Sequence, residues 1–420
     1  MRVTVQTGSY ELDNLGDRAM LEVLIDRLRE HHPGTRISVF ARDAERVRSL
    51  ERAVEQIPVE QKREWAMIRA VYLGVRRAIP AADWFIRRRW PSWYESILRM
   101  KAKALVNTEV LANTDMLIVS GGGFIADVFP GQAWPVLERM AAAIRQNVPF
   151  ALVGQGIGPL RDPALLQKAR EVLPHAKLVA VRETIYSLPL LLDIGVARAS
   201  ITATGDDAIE PAYALRSENP GTMLGVNFRV ADYAGITQGD VDSLRAPMRA
   251  VASRLETEMV ALPVCIVDSA ESSSDTAVVR QIVDPRGSAD PVPLTPAALI
   301  ERIRNCRVVV TGSYHAAVFA LAQGIPAICV FNTEYYGNKF RGLADGFGDG
   351  CRLVDKGQAG FVEVLIASIE TMWALADEMR PSLLRAAAAQ IAAGDEAYSR
   401  LADILAASRS STAQSRGAVP

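Results

Sequence analysis

Cysteine and histidine are scarce in this chain of 420 residues, which has only four of each. The cysteines form no CxxC pair and lie mostly within apolar runs, at Cys265, Cys306, Cys329 and Cys351. Metal sites and disulfide frameworks need such residues at short, regular spacings. We therefore expect buried free thiols, no metal site, no cofactor and a reducing, cytoplasmic setting.

The chain also lacks an excess of charge of either sign and lacks a long hydrophobic run. Lys and Arg number 47 and Asp and Glu number 48, so the formal net charge is -1 and gives no general attraction to nucleic acid. No uninterrupted apolar run approaches the ~18 residues that cross a bilayer, and the chain enters Val3 without the basic and apolar stretches of a secretory signal. We expect neither a nucleic-acid partner nor a membrane-spanning segment.

Short apolar runs rich in β-branched residues alternate with helical patterns, which predicts parallel α/β sheets. The candidate strands are 3–7, 36–41, 116–119, 149–153, 178–181, 200–203, 223–228, 263–268, 308–311 and 327–331. The turn-rich Ser217–Gly221 separates a first domain (1–216) from a second (217–407). Residues 271–296 predict a long surface excursion, and the small, polar tail 408–420 predicts disorder.

A basic, aromatic insertion interrupts the first domain over residues 62–103. It holds eleven Lys and Arg, three Asp and Glu, and four of the six tryptophans. A helical subdomain with its own small aromatic core explains this composition. A cationic lid over an anionic ligand, or peripheral contact with anionic lipid at the inner face of the membrane, explains it as well, and Arg87-Arg88-Arg89-Trp90 suits both.

Polar or glycine residues follow most of the predicted strands, where an open α/β sheet binds its ligands. They are Asn14 and Asp17, Gly121-Gly122-Gly123, Gln155 in the run Gly154–Pro159, Arg182-Glu183, Asp206-Asp207, Asn227 and Arg229, and Ser313-Tyr314-His315. Glycines allow a ligand to approach the backbone, whereas Asp17 is explained equally well as a helix cap. His315 opens an apolar helix that Ser313 is placed to cap, so the imidazole is available for acid–base chemistry.

In this order, the motifs resemble those of the polysaccharide pyruvyl transferase family. The likeness spans about residues 3 to 350, and its specificity comes from the ordered set rather than from any one motif. The matching segments are Gly8 with Asn14-Leu15-Gly16-Asp17, Gly121–Phe124, Gly154–Pro159, Val181-Arg182-Glu183, Gly205-Asp206-Asp207 and Tyr314 through Gly324-Ile325-Pro326, closed by Lys339.

The resemblance implies two Rossmann-like domains that face each other across a cleft, as in GT-B enzymes, and a role in exopolysaccharide biosynthesis. The implied donor is phosphoenolpyruvate, and the implied acceptor is a sugar of a cell-surface polysaccharide or its lipid-linked precursor. Ketal formation needs a general acid and cationic anchors. By resemblance His315 is the acid, Arg229 and Lys339 are the anchors, and Asp17 and Glu183 orient acceptor hydroxyls.

Ser313 stands where many family members carry an arginine, two residues before the histidine. Arginine is the natural bidentate partner of a carboxylate, so a GT-B glycosyltransferase that uses a nucleotide sugar stays open as an alternative. Asp206 and Asp207 would then meet ribose hydroxyls or a cation. A non-catalytic carbohydrate-binding or scaffold subunit, docked through 62–103, is a third hypothesis.

Overall fold

The computed structural model describes residues 1–59, 91–230, 234–266, 275–283 and 294–416, and the side chains of 91–95 and 408–416 are not described. Most of the basic insertion therefore lies outside the described residues, including Arg87-Arg88-Arg89 and the side chains of Trp65, Trp84, Trp90 and Trp93. Its described part is a helix, Pro91–Ala104, which packs against the helix Pro130–Arg145.

Within the described residues, the first domain is built on one parallel sheet in the order β3-β2-β1-β4-β6-β7-β8, with β5 paired to β6. Its strands are β1 (Arg2–Gln6), β2 (Arg36–Ala41), β3 (Glu55–Pro58), β4 (Met116–Val119), β5 (Gly122–Ile125), β6 (Phe150–Ile157), β7 (Leu178–Val181) and β8 (Ile201–Ala203). Its helices are α1 (Leu15–His31), α2 (Ala44–Arg48), α3 (Pro91–Ala104), α4 (Thr108–Ala112), α5 (Pro130–Arg145), α6 (Pro163–Val172), α7 (Ser187–Asp193) and α8 (Ile209–Ala214). The all-apolar, fully buried β4 is typical of a sheet covered on both faces.

The second domain repeats this design with a parallel sheet in the order β10-β9-β11-β12-β13. Its strands are β9 (Met223–Asn227), β10 (Met259–Ala261), β11 (Cys306–Thr311), β12 (Ala327–Phe331) and β13 (Cys351–Asp355). Its helices are α9 (Gln238–Arg254), α10 (Asp275–Val283), α11 (Pro296–Ile303), α12 (Tyr314–Ala322), α13 (Glu334–Phe347) and α14 (Phe361–Arg416). Two parallel sheets with helices around them confirm the predicted α/β class of two Rossmann-like domains.

Four predicted strands have the predicted bounds: β2, β4, β7 and β12. The strand expected at 263–268 is wrong, because β10 ends at Ala261. Pro263 has no N–H to donate to a ladder, so the sheet stops before it. The apolar residues after it form a connection instead, in which Cys265 makes an antiparallel bridge with Asn14 of the first domain.

The predicted surface excursion 271–296 is also wrong in part, because residues 275–283 form α10. Val278, Val279 and Ile282 of this helix are buried against the second sheet. Their helical spacing is the signal that the surrounding serines and prolines obscured. Buried apolar side chains anchor this helix in the core.

The last helix differs from prediction as well, because α14 continues through residues 408–416 of the expected disordered tail. Its first half packs on the second sheet through Leu365, Ile369 and Met372. Further along, Tyr398, Leu401 and Leu405 are buried in the core of the first domain, beside β1 and β2. The helix therefore crosses back and ties the two domains together. Among the described residues, no helix has the length and apolar character needed to cross a membrane.

We predict that Leu401→Ala destabilises the protein much more than Leu375→Ala. Both leucines are on α14, but Leu401 is buried in the first-domain core whereas Leu375 is 38% exposed. A buried Leu→Ala change costs about 2–5 kcal/mol of unfolding free energy, and an exposed one costs far less. Chemical denaturation of both variants measures this difference, and equal losses would show that the crossing of α14 contributes no stability.

Candidate functional site

Two cavities lie between the facing carboxyl edges of the two sheets. The histidine cavity, lined among others by Asn14, Asp17, Arg229 and His315, has a volume of about 270 Å³. The glycine-loop cavity, lined by the loop 156–161 with parts of α7 and α13, has a volume of about 420 Å³. Four residues line both cavities and so form the partition between them: Gly123, Arg182, Tyr335 and Lys339.

Arg182 is the central cation of this partition. It follows β7, its side chain is 1% exposed, and its Nη1 lies 3.2 Å from Oδ2 of Asp206. The guanidinium lies over the ring of Tyr314, at 4.1 Å from the centroid, while its Nη2 is buried without a hydrogen-bond partner. An arginine keeps its charge even when buried, so the partition contains a fixed cation with one unsatisfied donor.

Two of the glycines in the sequence motifs make room for this guanidinium. A Cβ atom on Gly123 would lie 2.7 Å from Nη2 of Arg182, and one on Gly156 would lie 2.7 Å from Nε. Atoms of any larger residue would collide with the side chain that Asp206 holds in place. The glycine-rich strand exits therefore leave room for an arginine.

Lys339 places a second cation beside Arg182. Its Nζ donates to Oη of Tyr335 at 3.2 Å and lies 4.9 Å from the ring centroids of both Tyr314 and Tyr335. Tyr335 in turn donates to the backbone oxygen of Gly123 at 2.7 Å, a hydrogen bond that joins the two domains. Burial, together with the repulsion of Arg182, lowers the pKa of Lys339 to about 7.

Asp17 balances these cations from the start of α1. Burial raises its pKa to about 7, although the attraction of Lys339 opposes this shift. The helix is capped by Asn14, whose Oδ1 accepts from the backbone N–H groups of Gly16 and Asp17 at 2.9 and 3.2 Å. Of the two interpretations of Asp17, the helix cap is therefore excluded, and this residue lines the histidine cavity.

His315 opens α12 at the same cavity, with its ring packed against Gly16, where a Cβ would lie 1.9 Å from Cγ. Its Nε2 has no hydrogen-bond partner and lies 3.9 Å from Oδ2 of Asp206. Burial, assisted by the charges of Arg182 and Lys339, lowers its pKa well below the usual 6.5. The imidazole is therefore neutral near pH 7 when the site holds no anion. Ser313 is the N-cap residue, but its side chain makes no capping hydrogen bond, contrary to expectation.

Arg229 also lines the histidine cavity, and it is held by a carboxylate that the sequence analysis overlooked. Its Nε lies 3.5 Å from Oδ1 of Asp275, which is buried at the start of α10. The other oxygen of Asp275 accepts from the backbone N–H of Cys265 at 3.0 Å. Asp275 therefore links the arginine to the connection that follows β10.

Other predicted site residues face away from the cavities. Asp207 accepts from Oη of Tyr398 on α14 at 3.1 Å, and burial raises its pKa to about 8. Gln155 is fully buried and donates to the backbone oxygen of Ser120 at 2.6 Å. Asn227 donates to the backbone oxygen of Leu262 at 2.7 Å and accepts from Thr311. These three side chains hold strand ends and helices in place.

The remaining predicted residues have mixed positions. Gly121 packs on Met20, and Gly122 has a φ of +154° that side chains rarely adopt. Glu183 lines the glycine-loop cavity, but its carboxylate accepts from the backbone N–H groups of Tyr186 and Ser187 and so begins α7. Tyr335, like Asp275, is a site residue that sequence reasoning missed, although it lies one turn before Lys339 on an amphipathic helix. Among the described residues, no group of His, Cys, Asp and Glu side chains could hold a metal ion.

The sequence profile of the polysaccharide pyruvyl transferase family matches residues 14–333, about three quarters of the chain. No curated protein matches the sequence significantly.

Solved structures similar to this one share its fold at low sequence identity. A UDP-GlcNAc 2-epimerase from Neisseria meningitidis, solved with UDP-GlcNAc, has a TM-score of 0.57 at 12% identity, covering 96% of this chain and 99% of that one. A glycosyltransferase from Rickettsia africae has a TM-score of 0.55 at 12% identity, covering 96% and 98%. At such identities the likeness concerns the fold alone, and it confirms the GT-B-like arrangement.

We predict that Gly156→Ala destabilises the protein whereas Gly131→Ala does not. A Cβ at Gly156 would overlap the buried Arg182 side chain, and such overpacking costs about 1–3 kcal/mol. Gly131, on α5, has open space around the position of its Cβ. Urea denaturation measures both effects, and a Gly156→Ala variant as stable as the wild type would contradict the tight fit.

The lowered pKa of Lys339 predicts a pH-dependent stability. Between about pH 7 and pH 10.5 the unfolded lysine holds a proton that the folded one has lost, so stability rises with pH over this window. From pH 7 to pH 10, the melting temperature of the wild type should therefore rise relative to that of Lys339→Met. The exposed Lys103 provides the control: the Lys103→Met difference should stay constant. A constant difference for Lys339→Met would place this lysine in contact with water.

Proposed function

The chain belongs to the polysaccharide pyruvyl transferase family, and on that basis we propose that it transfers the pyruvyl group of phosphoenolpyruvate to a sugar as a ketal. The sugar would be part of a cell-surface polysaccharide or of its lipid-linked precursor. The family makes the chain a transferase, and the chemistry of the cleft supports this particular donor.

The observation that carries the proposal is the pair of buried cations beside His315. Phosphoenolpyruvate has a phosphate and a carboxylate close together, and such an anion needs fixed donors inside a site without water. Arg182 offers its unpartnered Nη2, and Lys339 offers an ammonium group that an anion would keep protonated. Arg229 supplies a third cation in the lining of the same cavity. Arg182 thereby replaces the arginine that this chain lacks at Ser313.

The reaction can then be written with all atoms in balance. A proton adds to the methylene carbon C3 of the donor while a sugar hydroxyl forms a bond to C2 and gives up its proton. A second hydroxyl of the same sugar then attacks C2, the bond from C2 to the phosphate oxygen breaks, and the second proton leaves with inorganic phosphate. The products are a cyclic ketal of pyruvate and phosphate.

His315 is the proposed source of the proton for C3, and the donor itself enables this role. Without an anion, burial and the two neighbouring cations keep the imidazole neutral. A bound donor brings negative charge that compensates Arg182 and Lys339, which raises the pKa of the histidine. The Asp206 carboxylate, 3.9 Å from Nε2, supports the protonated form. Asp17 stands in the same cavity to orient the attacking hydroxyl or accept its proton.

A nucleotide sugar is the second candidate donor, favoured by the absence of arginine at position 313. The acidic pair that would serve it is otherwise engaged, because Asp206 binds Arg182 and Asp207 binds Tyr398. These contacts occupy Asp206 and Asp207, so neither carboxylate is free to meet ribose hydroxyls or a cation. They favour phosphoenolpyruvate over a nucleotide sugar.

We predict that phosphoenolpyruvate raises the melting temperature of the wild type and that UDP-GlcNAc does not. A ligand at 100 times its dissociation constant adds about 2.7 kcal/mol to the unfolding free energy, which a thermal shift detects. The shift should be markedly smaller in Lys339→Met, because the ammonium group is lost while Arg182 and Arg229 remain. The shift should persist in His315→Gln, because the cations that bind the donor remain. This variant should nevertheless no longer release inorganic phosphate from phosphoenolpyruvate when sugar glycosides are present.

The two ligands also decide between the candidate functions. A shift with UDP-GlcNAc alone would replace the proposal with glycosyl transfer. Full turnover by His315→Gln would remove the histidine from its role as acid, even if phosphoenolpyruvate binds. The exposed Lys103→Met variant is the matched control for Lys339→Met and should keep the wild-type shift.

A further inference from the structure

The glycine-loop cavity has no role in the donor chemistry described above. Its volume of about 420 Å³ falls within the range of ligand sites, about 300–1,000 Å³, whereas the histidine cavity is smaller. Gly156 and Gly158 belong to its lining, and Gly158 packs closely against Leu190, because a Cβ on this glycine would lie 2.8 Å from Cδ2 of the leucine. The chain therefore maintains a second, larger space next to the donor site.

Apart from the partition, the charges that line this cavity are already compensated. Arg161 of the first domain forms an ion pair with Glu334 of the second. The carboxylate of Glu183 accepts two backbone N–H groups at the start of α7, at 2.7 and 2.8 Å. A strongly anionic ligand would therefore find its partners only at the partition. This side of the cavity suits a neutral, polar ligand.

The surface of the cavity combines apolar and hydrogen-bonding groups. Ile157, Leu160 and Leu190 give it apolar walls, while Tyr186 and Asn338 bring a phenol and a side-chain amide. A pyranose ring presents C–H faces beside a rim of hydroxyls, so its chemistry matches a wall of this kind.

From this placement we infer that the glycine-loop cavity is the acceptor subsite and binds a neutral saccharide. The inference rests on the proposed function, because it takes the donor to occupy the histidine cavity. Arg182 and Lys339 reach both cavities through the partition, so a hydroxyl of a saccharide in the larger space lies next to a donor that the same two cations hold. Two contacts join the domains here. The hydrogen bond from Tyr335 to Gly123 lies at the partition, and the ion pair of Arg161 with Glu334 lies at the wall of the cavity.

Filling the cavity tests the inference. In Leu190→Trp a larger side chain enters the space, whereas Leu192→Trp places the same residue on an exposed position of α7, where the leucine is 43% exposed. Saturation-transfer NMR with p-nitrophenyl β-galactoside, β-glucoside and N-acetyl-β-glucosaminide as probes reads saccharide binding without any turnover. We expect a signal from at least one probe with the wild type and Leu192→Trp, and its loss with Leu190→Trp.

A phosphoenolpyruvate thermal shift on the same three proteins separates this inference from the proposed function. All three should keep the shift, because the donor binds on the other side of the partition. Saccharide signals that survive in Leu190→Trp, or that are absent with all probes in the wild type, would overturn the acceptor subsite while leaving the donor proposal in place. A missing phosphoenolpyruvate shift in the wild type would overturn the donor proposal itself.

Discussion

The structure depends on the confinement of two cations, Arg182 and Lys339, side by side between the domains. Burial disfavours the charged form of Lys339, and the repulsion of Arg182 adds to this effect, so the pKa of the lysine is lowered. Asp206 and the ring of Tyr314 compensate only part of this charge. Without a ligand, the remaining repulsion between Arg182 and Lys339 destabilises the folded protein. A bound anion would reduce this repulsion, so the same arrangement favours an anionic substrate.

Several features far apart in the sequence serve this confinement. Gly123 and Gly156 leave room for the guanidinium of Arg182. Arg182 follows β7 of the first domain, and Lys339 lies on α13 of the second. The crossing of α14 onto the first sheet holds the two halves in contact. Each domain therefore supplies one cation of the proposed donor site.

Strand positions and the edge that carries the site could be predicted from sequence, because buried parallel strands are apolar and ligands gather at their carboxyl ends. The sequence could not show which polar side chain turns inward. Asp206 and Asp207 are neighbours, yet one binds Arg182 and the other binds Tyr398 nearly 200 residues away. Tyr335 carried no motif of its own, and its role follows from contact with a glycine loop in the other domain.

Calorimetry of phosphoenolpyruvate binding at pH 8, in buffers of different ionisation enthalpy, tests the central claim most directly. At that pH the donor phosphate, with a second pKa of about 6, is already ionised, so any net proton uptake belongs to the protein. Lys339, with its pKa lowered to about 7, is largely neutral in the free cleft and should take up a proton when the anion binds. The account predicts net uptake with the wild type and less with Lys339→Met. Binding without proton uptake would contradict the account.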